Sequence, residues 1–171
     1  MTDEISNNES NKPNTLKTFG LLLKEKGINV EPLQDTSDQI EVILIKENQL
    51  LQASELLKNN EESSFNLLVS VSGVDSLKDN MLESVYHLYS TKHNHKLVVK
   101  VRVRRENPSI PSVSSIWKTA DWHERETYDL MGINYTGHPN LKRILLPIDW
   151  IGHPLRKDYV LSDERLKWNE R

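Results

Sequence analysis

The sequence contains no cysteine. Disulfides, thiol catalysis, cysteine-type zinc sites and any iron–sulfur cluster held by this chain are thereby excluded. Aromatic residues are scarce, at 6% of 171 residues, and no sign of charge dominates: 22 Lys and Arg face 25 Asp and Glu, for a formal net charge of −3. That balance excludes a nucleic-acid protein that relies on bulk positive charge. Long apolar runs are also missing. Gly20–Leu23 and Ile144–Leu146 fall far short of the roughly 18–20 residues that span a bilayer, so a membrane is expected to be met only through another protein. There is no Gly-rich phosphate loop and no nucleophile elbow, since Gly137 and Gly152 stand alone. Residues 1–14 are polar and acidic without an apolar stretch; they are expected to form a disordered tail, not a signal peptide.

What remains reads as one domain. Leu16, Phe19, Leu22 and Leu23 recur at helical spacing over Thr15–Lys26, with Gly27 as the stop. The β-branched run Ile40–Ile45 suits a strand, Glu47–Leu57 a second helix, and Phe65–Val71, Ser84–Tyr89 and Lys96–Arg104 three further strands. The last is the clearest: Leu97, Val99, Val101 and Val103 alternate with a mostly basic set, so one face is apolar and the other solvated or covered by a partner. The predicted fold class is α+β, with a mixed or antiparallel sheet of about four strands and helices on one face. Pro108 and Pro111 break the strand pattern, and a helix is predicted over Val113–Met131, ending before Gly132. The α+β domain is thus expected over residues 15–131, and residues 132–171, with little periodicity and rich in Pro, His, Arg and Trp, as an extended partner-binding arm.

The residues that invite a chemical reading cluster late in the chain. His123, Glu124, Glu126 and Asp129 form an acidic group with one histidine, but HxxE without a third ligand makes a poor metal site. A structural charge network is the better reading, with Arg125 and Asp129 spaced to pair across one helical turn. His138 and His153 each sit in a Gly-His-Pro triplet, where Gly and Pro shape a turn and the imidazole hydrogen-bonds backbone. Basic residues follow both triplets: Lys142 and Arg143, then Arg156 and Lys157. Arginines presented from rigid turns suit bidentate capture of a partner's carboxylate. No catalytic residue and no metal or cofactor ligand is assigned.

The run ERETYDLMGINYTGHPNLKRIL, Glu124 to Leu145, followed by LPIDWIGHPLRKDY, Leu146 to Tyr159, resembles the signature of the complex I 30 kDa subunit family. The resemblance carries Glu124, Arg125, Glu126, Asp129 and Gly132 into the opening of the signature, Gly137, His138, Pro139, Leu141 and Arg143 into its continuation, and Gly152, His153, Pro154, Leu155, Arg156, Lys157 and Asp158 into the second motif. It implies a cofactor-free peripheral-arm subunit of a proton-translocating quinone oxidoreductase, fed by NADH, NADPH or ferredoxin. Such a subunit docks to the 49 kDa-type quinone-site subunit and neighbours, with iron–sulfur clusters and quinone in those partners. The family has two short forms, the C-type of bacterial and archaeal complexes and the J-type of the plastoquinone-reducing complex. His153, where the J-type usually has an aromatic residue, and the ending after Tyr159 favour the C-type, on the cytoplasmic side of the plasma membrane. The alternatives are the J-type, stromal on thylakoids, and a component of a complex I-related membrane-bound hydrogenase. From a different class comes an RNA-binding module using the basic residues Lys100–Arg105.

Overall fold

A computed structural model describes residues 18–33 and 40–160. The expected N-terminal tail, the start of the first helix and the ending after Val160 lie outside them.

The chain opens with helix α1 (Thr18–Glu25), whose Leu23 is buried, and turns at Gly27. Strands β1 (Val30–Leu33) and β2 (Glu41–Ile45) follow, then a single 3-10 turn (Glu47–Gln49) leading into helix α2 (Leu50–Asn59). Three ten-residue strands come next: β3 (Leu67–Ser76), β4 (Met81–Ser90) and β5 (His95–Arg104). The two hairpin connections each place an asparagine at positive φ, Asn80 and Asn94 at 55°, a conformation that Asn tolerates better than most residues. Then come the short β6 (Ser109–Pro111), helix α3 (Ala120–Met131) and β7 (Asn134–Thr136).

The five-stranded sheet has the order β1-β2-β5-β4-β3, with β2 and β5 parallel and the remaining neighbours antiparallel. The period-two pattern of β5 sorts its faces. Leu97, Val99, Val101 and Val103 stand opposite Leu88, Tyr86, Ser84 and Leu82 of β4. That face packs with Leu23, Leu50, Ala53 and Leu57 of the first two helices and with Ala120 and Met131 of α3 in one hydrophobic cluster. Each fully buried Leu, Val or Met among them stabilises the fold by about 1.5–3 kcal/mol. On the other face Lys100 and Arg102 meet Glu83 at 3.6 and 2.6 Å.

Four differences from the expected fold have physical causes. The sheet has five strands, because four-residue β1 carries Pro32 and Glu31 and lacks a strand-like composition. Strand β3 runs on to Ser76, past Gly73 and Asp75, which hide the strand pattern. Residue 73 is glycine because a Cβ there would lie 2.8 Å from Cγ of Met131, so no larger residue lets α3 come this close. The helix predicted from Val113 begins only at Ala120, after turns in which the N–H groups of Ile116 and Trp117 both donate to the Val113 carbonyl. Finally, the domain does not end at Met131. Ile133 and Tyr135 are core residues, and β7 pairs in parallel with β6, so the body continues to Thr136. From Gly137 to Val160 the described chain has no helix or strand.

Candidate subunit interface

A helix leaves its last carbonyls without intrahelical partners and carries partial negative charge there. In α3 the arm supplies what is missing. The Asp129 carbonyl accepts from Nη1 of Arg143 (3.1 Å) and from Nδ1 of His153 (3.0 Å). The Leu130 carbonyl accepts from the Leu155 N–H (3.1 Å), and the Met131 carbonyl from Nε of Arg156 (2.8 Å). Both guanidinium groups thus sit at the end of the helix where cations are favoured. Gly132 closes the helix at φ 74°, and a Cβ on it would lie 2.5 Å from the His153 ring. Only glycine combines that backbone with that approach.

The Asp129 side chain is the second half of this clamp. It is fully buried; Oδ1 accepts from Arg143 Nη1 at 2.7 Å, and Oδ2 from the N–H groups of Ile144 (2.9 Å), Leu145 (2.8 Å) and Leu146 (3.0 Å). Burial alone would raise this carboxyl, but those three N–H groups and the guanidinium together hold it below the usual aspartate range. Arg143 spends its other nitrogen on the carbonyls of Trp150 (3.2 Å) and Gly152 (3.3 Å), tying two points of the arm together. His153 is shifted down, first by burial and then by Arg156 and Arg143, despite its bond to the Asp129 carbonyl. Because a carbonyl only accepts, Nδ1 of this neutral ring carries the proton.

Farther on, the arm reaches the sheet. The Lys157 N–H donates to Oδ2 of Asp75 (2.8 Å), and Arg105 bridges Asp75 and Asp158, with Nη2 donating to each at 3.1 and 2.5 Å. Asp75 is not among the residues expected from sequence, and Arg105 is among them only as part of the basic stretch Lys100–Arg105. The available signal was a carboxylate in the inward phase of a strand, two residues past Gly73.

Glu124, near the start of α3, is likewise fully buried. Its pKa is pushed up to about 7, chiefly by burial, against the lowering effect of bonds from the Ser112 hydroxyl (2.5 Å) and the Val113 N–H (2.8 Å). The His138 side chain is buried beside it, with Nε2 3.9 Å from Glu124 Oε2; Nδ1 accepts from the Asn140 N–H (3.0 Å), so Nε2 donates to the Asp121 carbonyl (3.2 Å). Both histidines of the Gly-His-Pro triplets therefore hydrogen-bond backbone, and both reach carbonyls of α3, with only the Asn140 N–H to His138 bond lying within a turn.

Within the acidic group Glu124 and Asp129 have no exposure, while Glu126 is exposed. Two expectations are corrected. Arg125 does not pair with Asp129; it lies over the Trp122 ring at 5.0 Å and donates to the Lys142 carbonyl, because Asp129 points inward to Arg143. The arginines after the two triplets do not reach outward for a partner's carboxylate. Arg143 and Arg156 clasp α3 of their own chain.

The arm bares its apolar side chains instead. Ile148 is 96% exposed, Ile151 and Val160 each 80%, and Leu145 and Leu155 more than half. Aliphatic side chains held on an irregular backbone with its polar groups turned inward present a surface that another protein can cover. Gly137, Pro139, Leu141, Pro154 and Gly152 shape the path: Gly137 and Gly152 turn at φ 78° and 86°, and partly buried Leu141 packs on the core. The basic stretch Lys100–Arg105 is largely occupied, with Lys100 and Arg102 on Glu83 and Arg105 on Asp75 and Asp158. Among the described residues, no three His, Cys, Asp or Glu side chains are grouped to hold a metal ion, and no helix is long and apolar enough to cross a membrane.

Fold and site together define an α+β domain with a clamped, apolar-faced arm. The chain belongs to the complex I 30 kDa subunit family: the family model described as respiratory-chain NADH dehydrogenase, 30 Kd subunit, matches residues 43–165. It is 42% identical over 125 residues to the C subunit of NADH-quinone oxidoreductase from Roseiflexus sp. (strain RS-1), covering 72% of each chain. It is 50% identical over 105 residues to the chloroplastic J subunit of NAD(P)H-quinone oxidoreductase from Chaetosphaeridium globosum, covering 59% of this chain and 62% of that one. Among solved structures, the trypsin-resistant fragment of Nqo5 superposes with a TM-score of 0.56 at 28% identity, over 71% of this chain and 97% of the fragment. A chain of an archaeal membrane-bound sulfane sulfur reductase shares the fold, with a TM-score of 0.65 at 22% identity, over 83% of this chain and 84% of that one.

Proposed function

We propose that this chain is a cofactor-free, C-type component of the peripheral arm of a proton-translocating quinone oxidoreductase. It docks through residues 137–160 onto the 49 kDa-type subunit that helps to form the quinone pocket. The observation that carries this reading is the orientation of the arm. Asp129, Arg143, His153 and Arg156 hold its backbone against α3, while Ile148, Ile151 and Val160 face outward. A rigid apolar surface of this kind loses little entropy when it is covered, so pre-organisation turns burial into affinity. The chain contributes no reacting group; its role is to fix the position of a neighbour, where small displacements near a reaction centre cost large rate factors. Iron–sulfur clusters and quinone belong to partner subunits, and the complex sits on the cytoplasmic side of the plasma membrane. His153, where the J-type usually has an aromatic residue, supports the C-type; here its Nδ1 donates to the Asp129 carbonyl.

The test is the double substitution Ile148→Asp and Ile151→Asp in the host. Both residues are exposed, so the purified chain should melt as the wild type does, while the assembled complex and its quinone reductase activity disappear from native gels. Normal assembly of the double variant would end the proposal.

A further inference from the structure

The two edges of the five-stranded sheet are built differently. One edge, β1, is four residues long and carries Pro32 and Glu31, features that discourage another strand from pairing there. The other, β3, is ten residues long, contains neither Lys nor Pro, and exposes Leu67, Val69 and Val74 by 38%, 53% and 44%. Its first part is closed off: the register shifts between Leu68 and Ser70, and the Thr119 hydroxyl donates to the Leu68 carbonyl at 3.1 Å. From Val71 to Ser76 no strand among the described residues pairs with its outer side.

Helix α3 runs beside this open stretch, with Thr119 near Leu68 and Met131 near Gly73. Between strand and helix lies a groove of about 180 Å³, lined by Val71, Ser72 and Gly73 on one side and by Leu130, Met131 and Leu155 on the other, with Glu126 on it as well. The close approach at Gly73 makes its floor. A groove of this volume does not hold a second helix, whose diameter with side chains is about 10–12 Å, but it admits the side chains of a strand. An exposed strand edge beside a helix-walled groove is the geometry by which proteins receive an extended peptide, with main-chain bonds for affinity and the groove for alternate side chains.

We infer that β3 accepts an extended segment of a neighbouring subunit as a sixth strand, with apolar side chains in the Leu130–Leu155 groove and a basic side chain opposite Glu126. The inference rests on the reading of this chain as a docked subunit. Leu155 makes the surface continuous, because it both walls the groove and belongs to the outward apolar set of the arm. The exposed carboxylate of Glu126 selects for a basic residue in the incoming strand.

Amide hydrogen exchange on the purified full chain and on the native complex reads main-chain pairing directly. Peptides covering residues 71–76 should exchange at least about tenfold more slowly in the complex, with the β1 peptide unchanged. Equal rates in both states overturn the inference. So does a free chain that sediments as a dimer with residues 71–76 already protected, which assigns the edge to a second copy. The double variant Ser72→Lys and Val74→Lys should keep the melting temperature of the free chain and assemble at least about tenfold less well. If it fails to fold, the wild-type exchange data decide. Complex formation lost in the Ile148→Asp, Ile151→Asp variant, with the edge variant assembling normally and residues 71–76 unprotected, sinks the sixth strand but keeps the docked arm; normal assembly of the arm variant sinks the docking proposal itself.

Discussion

Helix α3 carries two fully buried carboxylates about one and a half turns apart, and they titrate in opposite directions. Glu124 receives one hydroxyl and one N–H and is pushed up to about 7. Asp129 receives three N–H groups and a guanidinium and is held below its ordinary range. Both side chains are shielded from solvent, and the direction of each shift is set by desolvation weighed against the number and charge of the donors. The donors differ because the two ends of the helix face different neighbours. Glu124 meets the β6–α3 connection of the body, whereas Asp129 meets the returning arm. One carboxylate serves the inside of the fold, and the other anchors the arm.

Removing the anchor should break this contrast most severely. Asp129→Ala strands the Arg143 guanidinium and the N–H groups of residues 144–146, and loss of one partner of a buried ion pair destabilises by about 3–5 kcal/mol. A denaturant melt checks the size. Limited proteolysis should show new cleavage within residues 137–160 while α3 and the sheet remain resistant. Cleavage spread evenly over the chain would show that arm and body are one cooperative unit.

The pH dependence sharpens the same comparison. Glu124 is raised in the folded state, so folding takes up a proton between its ordinary pKa and about 7. Its favourable contribution is complete below about pH 4.5 and is lost as pH rises to about 7, at about 1.4 kcal/mol per unit, for a total of about 3 kcal/mol. The stability difference between wild type and Glu124→Gln should move by that amount across the window and stay flat above it. Asp129 is lowered, so its contribution is present above the ordinary aspartate pKa and disappears as pH falls through the folded value. The difference between wild type and Asp129→Asn should therefore shrink in acid. Two slopes of the same sign would contradict the opposed environments.

How much of this was legible beforehand depended on whether a residue's partner was close in sequence. Strand β5 announced itself through alternation, and the α+β class followed. Strands β6 and β7 did not, because three-residue strands paired across Pro108–Thr136 have no local period to read. The signature residues were all visible as a resemblance, yet their roles were not. Arg125 and Arg143 were equally good partners for Asp129 by charge, and spacing favoured Arg125. The inward rotation of Asp129 and the return of the arm decided for Arg143, fourteen residues downstream. Asp75, Arg105 and Asp158 join β3, the end of β5 and the arm, and no window of sequence contains all three.

A smaller loss is expected at the turn itself. Gly132→Ala adds a Cβ at φ 74° that would lie 2.5 Å from the His153 ring and 2.9 Å from Nη2 of Arg156. Positive φ alone costs a non-glycine residue about 1–2 kcal/mol, and the clash must displace His153 from the Asp129 carbonyl. A thermal melt of the variant checks the size.

The mildest change tests whether the second arginine clamps or merely decorates. Arg156 donates through Nε to the Met131 carbonyl, the last of α3. Arg156→Lys keeps the charge near the helix end but replaces a directed guanidinium with a mobile ammonium, so about 1 kcal/mol should be lost. The loss should leave the stability of the sheet, followed by amide exchange in β4 and β5, almost unchanged. Exchange in the final turn of α3 should quicken, because the Met131 carbonyl is then left to water. Quickening in β4 and β5 instead would mean that the arm is woven into the body, and that α3 does not divide the molecule into a folded interior and a separately held arm.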